Sequence, residues 1–356
     1  MYQFYFIVYK LLKSSNKLNL LSNTSVIIST VIASAILPLI FAIERGYENN
    51  ILSRIIDFDG YARIYNEKTL SSTFSDNNYL FIEDNYVINN SNNSEAITFT
   101  AIKNFDQYFS NNFIIMNDLN KEGIYIGADL FKKLFLNNNL IQTFIFSKEG
   151  DIYPLKIKGI FKTNIPLYDK YMIISDINYY SKITNNQDVI VDGYIIKNKS
   201  DSFKLKSNTI LYNEKYHEFI SWLNSYKMPI YILVLFILIV MLINNSSSFY
   251  IDINNAKRDI LIYKTLGLSN LQIHIIYISK YVFLTTFSCI IGTIIYFLFF
   301  YIQTNFNIIK LSSEIYYSDT LLLFNSYKYC LYIPTILIIH SIYLYYRTKK
   351  DFYNVL

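Results

Sequence analysis

Acidic and basic side chains are nearly absent from four long stretches of this chain: Val26–Ile43, Met228–Ile243, Ile275–Ile302 and Tyr327–Tyr346. The only charged residues in them are Lys280 and Lys328, each near the edge of its run. A charge at the centre of a membrane helix costs roughly 2.5–3.5 kcal/mol on insertion scales. Each run, with its flanks, is long enough to cross a ~30 Å hydrocarbon layer, which takes about 20 helical residues. Cysteine is also scarce. Cys289 and Cys330 both fall within apolar runs, so the polar segment between the first two runs cannot be held by disulfides. No Gly-x-x-x-x-Gly-Lys-Ser/Thr sequence occurs, which excludes a Walker A phosphate loop. The three histidines, His217, His274 and His340, are too far apart for metal-ligand spacing. No carboxylate lies within a run to partner His340, which reads as a neutral packing residue. The basic residues form no nucleic-acid stripe despite a net charge of +5. Nothing in the chain looks catalytic.

The basic residues instead gather at the ends of the runs. Lys10, Lys13 and Lys17 precede the first, Lys257, Arg258 and Lys264 separate the second from the third, and Arg347, Lys349 and Lys350 follow the fourth. The positive-inside rule then places both termini and the 244–274 loop in the cytoplasm. Residues 44–227 lie outside, with Trp222 and Tyr226 at the outer interface. Ala33-Ser34-Ala35 resembles a signal-peptide cleavage site, but only Val26–Ile32 precede it as apolar region and apolar sequence continues to Ile43. A retained anchor fits better. The expected fold is a membrane protein with four transmembrane helices and a large α+β extracytoplasmic domain between the first and second. Its parts are a cytoplasmic amphipathic segment 1–21, a first span 22–43, the outer domain 44–227 and a permease-like remainder 228–356.

Within the outer domain, alternation and β-branched or aromatic content predict strands at Tyr61–Tyr65, Ala96–Ile102, Phe113–Met116, Leu140–Phe146, Tyr153–Phe161, Tyr171–Ile174 and Val189–Ile196. Helices are expected at Asp129–Leu136, Ile177–Ile183 and Glu214–Ser225, and the Asn/Ser-rich Asn85–Ser94 reads as an exposed loop.

The strongest local pattern is Asn254–Ser269. Charged residues lead into apolar positions at helical spacing, with Ile260, Tyr263 and Leu266 or their neighbours on display. Gly267 suits a left-handed helix end, and Ser269 with Gln272 suits a capping box opening the next helix. On this evidence alone a membrane-surface helix and a docking helix are equally good descriptions. On the first span, Ser25, Ser29 and Ala33 recur every fourth position, a stripe that permits close helix approach.

Residues Ala256–Gly267 resemble the Lys/Arg-Arg-Asp/Glu-Ile-x-Ile-hydrophobic-Lys/Arg-x-Leu-Gly signature of FtsX/MacB-type ABC transporter permeases. Four further stretches, in order, are similar to the LolC/LolE permeases of the lipoprotein-releasing system: Phe6–Leu12, Phe41–Glu48, Gly123–Leu130, and Lys158–Thr163 with Tyr168-Asp169. Two features depart from that pattern. The chain end reads Tyr346–Phe352, and only Ser147–Asp151 stands where LolC-like members carry a long carrier-recruiting hook.

The resemblance implies a MacB-like periplasmic domain and a permease that is not itself an enzyme and binds no cofactor. ATP and Mg would be held by a cytoplasmic ABC ATPase dimer. Its cleft would receive a coupling helix carrying Lys257, Arg258, Asp259, Ile260, Tyr263, Lys264, Leu266 and Gly267. Other implied partners are a second permease subunit (the same or a different chain), a lipoprotein cargo, a periplasmic carrier met through the partner permease, and membrane lipid. The resemblance makes Ser25, Ser29 and Ala33 a cargo or packing face and the bacterial inner membrane the location. Peptide or drug efflux, cell-wall hydrolase control, and a non-transport receptor with an external sensing domain remain alternatives.

Overall fold

The computed structural model describes residues 17–65, 78–90, 93–109, 113–117, 122–135, 143–147, 150–185, 190–197, 209–312, 318–325 and 327–354. The Phe6–Leu12 segment and Lys148-Glu149 lie outside them. Four described helices are long and apolar enough to cross a membrane. They are α1 (Lys17–Asp59), α8 (Lys227–Asn255), α10 (Asn270–Phe306) and α11 (Tyr332–Asn354). The short α9 (Lys257–Thr265) joins α8 to α10. With the mixed sheet described below, this fits a membrane protein bearing an α+β domain. The chain divides into two compact units, Met1–Tyr47 with Leu223–Lys310 and Thr320–Leu356, and Glu48–Trp222 with Leu311–Asp319.

The second unit is a mixed sheet flanked by short helices. Its strands are β1 (Ala62–Tyr65), β2 (Asn78–Asn90), β3 (Asn93–Ile102), β4 (Ile114–Met116), β5 (Ile124–Gly127), β6 (Thr143–Phe146), β7 (Ile152–Leu155), β8 (Ile157–Phe161), β9 (Met172–Asp176), β10 (Gly193–Ile196) and β11 (Thr209–Leu211). They run in the order β11-β1-β10-β2-β3-β9-β5-β8-β4, with β6 pairing β2 and β7. The β3–β9 and β5–β8 pairs are parallel, and the other neighbours antiparallel. Parallel neighbours need crossovers. Here they carry α2 (Phe105–Tyr108), α3 (Ala128–Leu134) and α4 (Pro166–Tyr171), while α5 (Ile177–Thr184) follows β9. One face packs into a core of Ile88, Phe99, Ile124, Ile126, Ile145 and Ile173, each fully buried.

Several expectations are corrected here. Asn85–Asn90 and Asn93-Ser94 are strand and not loop: they form the far end of the β2–β3 hairpin, which is paired from Phe81↔Ile102 to Asn90↔Asn93. Tyr86 and Ile88 point inward while Asn85 and Val87 are exposed, so a two-residue alternation lies beneath the asparagine content. Tyr153–Phe161 is two strands separated by Lys156, because β7 pairs with β6 while β8 pairs with β5 and β4. Glu214–Ser225 is likewise two helices, α6 (Tyr212–Lys215) and α7 (His217–Ser225), parted at Tyr216. Gly123–Leu130 contains the fully buried strand β5 ahead of α3.

The Lys158–Asp169 stretch has a clear physical basis. Asp169 accepts hydrogen bonds from the Thr163 amide (2.7 Å), the Thr163 hydroxyl (2.8 Å) and the Asn164 amide (2.9 Å), closing the turn before α4. The adjacent Tyr168 ring packs 4.4 Å from Phe58. Burial pushes the Asp169 carboxyl up to about 6, against the pull of the three donors. The neutral acid is therefore the better-buried form. Its contribution to stability is complete below an ordinary carboxylate value near 3.8 and is lost as pH rises through about 6. Asp169→Asn would present an amide N–H to the Asn164 N–H. It should lower the thermal midpoint of the full-length protein in detergent. The wild-type minus variant difference should be largest at pH 4 and shrink toward pH 7. A difference independent of pH would contradict the shift.

A second buried cluster closes the same unit. Arg63 on β1 donates to Asp59 and to Glu83 on β2. Lys215 lies 3.1 Å from Asp59 and 3.6 Å from Glu83. The Tyr216 hydroxyl donates to Asp59 at 2.5 Å. The end of α1 and the α6 segment are thus tied to the sheet by one charge network.

Candidate functional site

In the first unit α9 is built as the sequence suggests. Its end is a paired left-handed cap: the Gly267 amide bonds Lys264 O (2.9 Å) and the Leu268 amide bonds Tyr263 O (3.1 Å). Gly267 sits at φ +88°, a conformation that disfavours any side chain. Ser269 and Gln272 then form the reciprocal capping box that opens α10. The chain therefore turns sharply, leaving α9 as a discrete short helix between α8 and α10.

The two faces of α9 differ. Lys257, Arg258, Leu261, Ile262, Leu266 and Gly267 are exposed, Leu266 to 73%. Asp259, Tyr263 and Lys264 are half-buried. Ile260, expected on display, is instead fully buried with Ile273, Ile276 and Tyr277 of α10 and Phe249 and Ile253 of α8, and Tyr263 packs against the same cluster. An exposed apolar row edged by Lys257 and Arg258 suits an amphipathic docking surface, because the inward face already holds the helix down.

The Ser25/Ser29/Ala33 stripe faces α8. Ser25 Oγ donates to Asn244 Oδ1 (3.1 Å), whose amide returns a bond to Ser25 O (3.2 Å). Ser29 Oγ donates to Asn245 Oδ1 (2.7 Å), and Asn245 Nδ2 donates to Thr30 Oγ1 (3.1 Å). Ala33 is buried against Met241 and Leu37. Beside this seam lies an open, largely apolar groove of 580 Å³ between α1 and α8, with Ile28, Ile32, Phe236 and Val240 on its walls and Ser25, Ser29 and Asn244 among its lining residues.

The stripe thus serves both packing and groove formation. Asn244 and Asn245, which complete it, were not singled out from sequence. The polar run Asn244–Ser248 at the end of the second apolar stretch was the available signal.

His340 is hydrogen-bonded on both ring nitrogens, by Ser246 (2.8 Å) and Tyr281 (2.8 Å), and so links α8, α10 and α11. Among the described residues no group of three or more His, Cys, Asp or Glu side chains is arranged to hold a metal.

Residues 231–349 match the FtsX-like permease C-terminal family. A comparison with curated proteins finds no match. The matched segment contains α9 together with α10 and most of α8 and α11, so the resemblance falls on α9 and the helices that hold it. The match supports the FtsX/MacB/LolC permease family and, with the apolar helices, an inner-membrane ABC transporter permease subunit whose usual kind of partner is an ABC ATPase.

Proposed function

We propose that this chain extracts lipoproteins from the bacterial inner membrane as one of two paired permease subunits. Both termini face the cytoplasm and residues 44–227 face outward. A cytoplasmic ATPase dimer binds ATP and Mg and receives the exposed face of α9. Nucleotide-driven closure then moves the spans, and the acyl chains of a lipoprotein are held and expelled along the groove between α1 and α8. The chain itself has no catalytic residue in this reading.

The groove carries the proposal. Acyl chains need an apolar wall reachable from the bilayer, and Ile28, Ile32, Phe236 and Val240 supply one. Ser25 and Asn244 bond each other and Ser29 bonds Asn245, so these polar groups add no unpaired cost to an apolar guest. Ser147 N bonds Asp151 O at 2.9 Å, so only three residues lie between the paired ends, fewer than a long carrier-recruiting hook needs. The LolE-like part therefore falls to this chain, and capture of a periplasmic carrier to its partner permease.

Photo-crosslinking side chains at Ile32 and Phe236 should trap a lipoprotein in nucleotide-free membranes and lose it after ATP-driven closure. Adducts with non-acylated peptide, or none in any nucleotide state, would replace this reading with efflux or force transmission to a cell-wall enzyme.

A further inference from the structure

Lys280 Nζ on α10 donates to Asp252 Oδ2 on α8 at 2.7 Å, with side chains only 2% and 9% exposed. These two residues flank α9 in the chain, so their pair closes the base of the hairpin 253–279 that carries it. Asp252 Oδ1 has no hydrogen-bond partner among the described residues, which leaves Lys280 to neutralise the carboxylate.

Around the pair, α8, α9 and α10 share an apolar cluster. Ile260, Ile273, Ile276 and Tyr277 pack with Phe249 and Ile253, and the Phe249 and Tyr281 rings lie 5.5 Å apart. Apolar packing is non-directional and specifies the sliding position of two helices weakly. An ion pair within it is intolerant of sliding, because either charge displaced from the other is left buried and alone.

We infer that Asp252 and Lys280 are a positioning pair for α9, fixing α8 against α10 so that the short helix between them is presented in one place. The inference rests on the permease reading, in which α9 receives the ATPase, and adds to it the means by which a push on α9 reaches the spans. Tyr281, next to Lys280, bonds His340 of α11, which bonds Ser246 of α8. Asn244 and Asn245, just before Ser246, bond Ser25, Ser29 and Thr30 of α1. A displacement of α8 relative to α10 is thereby passed to α11 and α1 through directional bonds.

The test uses the full-length chain in membranes, expressed without an ATPase. Cys289 and Cys330 are replaced, and Ile260→Cys and Ile276→Cys are introduced to report the seat of α9 by cross-linking. Lys280→Met should lower the cross-linking yield at least fivefold. Asp252→Asn combined with Lys280→Met removes both charges and should restore the parental thermal midpoint, because a neutral pair leaves no lone buried charge. Its cross-linking should nevertheless stay at least fivefold down. The exchanged pair, Asp252→Lys with Lys280→Asp, should recover it to within twofold.

Parental cross-linking in the neutral double variant would reduce the pair to packing and overturn the inference, as would failure of the exchanged pair to restore it. Co-purification with an ATPase is read separately. A chain that cross-links as expected but binds no ATPase keeps the positioning pair and loses the permease reading. One that binds ATPase while the neutral variant cross-links like the parent does the reverse.

Discussion

Arg258→Glu together with Leu266→Asp should abolish assembly with the ATPase while leaving the membrane subunit folded. Both side chains are exposed in the isolated chain, Leu266 to 73%, so neither substitution disturbs a packed contact. In a docked complex both would be covered. A buried charge without a partner costs about 3–5 kcal/mol. At 1.4 kcal/mol per tenfold, that is roughly a hundredfold to a few thousandfold in affinity, enough to dissolve a micromolar association. The expected observation is a variant with the parental thermal midpoint and membrane yield and no bound ATPase. Ile260→Asp would not make the same point, because Ile260 is buried in the chain's own cluster and a charge there would unseat α9 even without an ATPase. An assembled, hydrolysing complex from the double variant would remove α9 from the interface.

Gly292→Leu should have the largest effect on the membrane unit itself. An added Cβ at Gly292 would lie 1.8 Å from Ser34 Oγ and 2.6 Å from Val31 O. The Ser34 hydroxyl is folded back onto Thr30 O (2.7 Å) and cannot retreat without giving up that bond. Glycine is therefore what lets α10 approach α1 this closely, as small residues do at membrane helix contacts. Overpacking of this kind costs about 1–3 kcal/mol for modest additions and more for a whole leucine side chain, against a stability of about 5–15 kcal/mol. We expect Gly292→Leu to lose most folded protein in the membrane. Ile294→Leu, on an exposed part of the same helix, should be neutral. Wild-type yield and melting for Gly292→Leu would show that α1 and α10 do not make this contact.

The membrane helices were legible because their signal is long and one-dimensional: four runs nearly free of charge. Gly267 and the Ser269–Gln272 box were equally legible, since each acts within a few residues of itself. The sheet was harder. Asparagine content in Asn85–Ser94 masked the alternation of Tyr86 and Ile88, which gains its meaning only when β3 lies alongside. Tyr153–Phe161 looks continuous because nothing local reveals that its halves pair with different strands.

The candidate site divides the same way. The α9 segment and the Ser25/Ser29/Ala33 stripe could be found by pattern, but which side of α9 faces outward could not. Ile260 and Leu266 are both apolar, and only the packing of α8 and α10 sends one in and the other out. Asp252 and Lys280 stand apart in the chain, one beyond the second run and the other near the start of the third, where a charge is unremarkable. Their pairing is a property of the folded bundle alone.

In the proposed function this chain is a permease driven by an ATPase that it does not itself contain. The most direct measurement is purification of the full-length chain from its native membranes in mild detergent, followed by identification and assay of what remains bound in stoichiometric amount. The expected result is a bound protein carrying a phosphate-binding loop, with ATP hydrolysis that disappears when Arg258→Glu and Leu266→Asp are introduced. A chain that purifies without such a protein, or whose hydrolysis survives that double substitution, would contradict it.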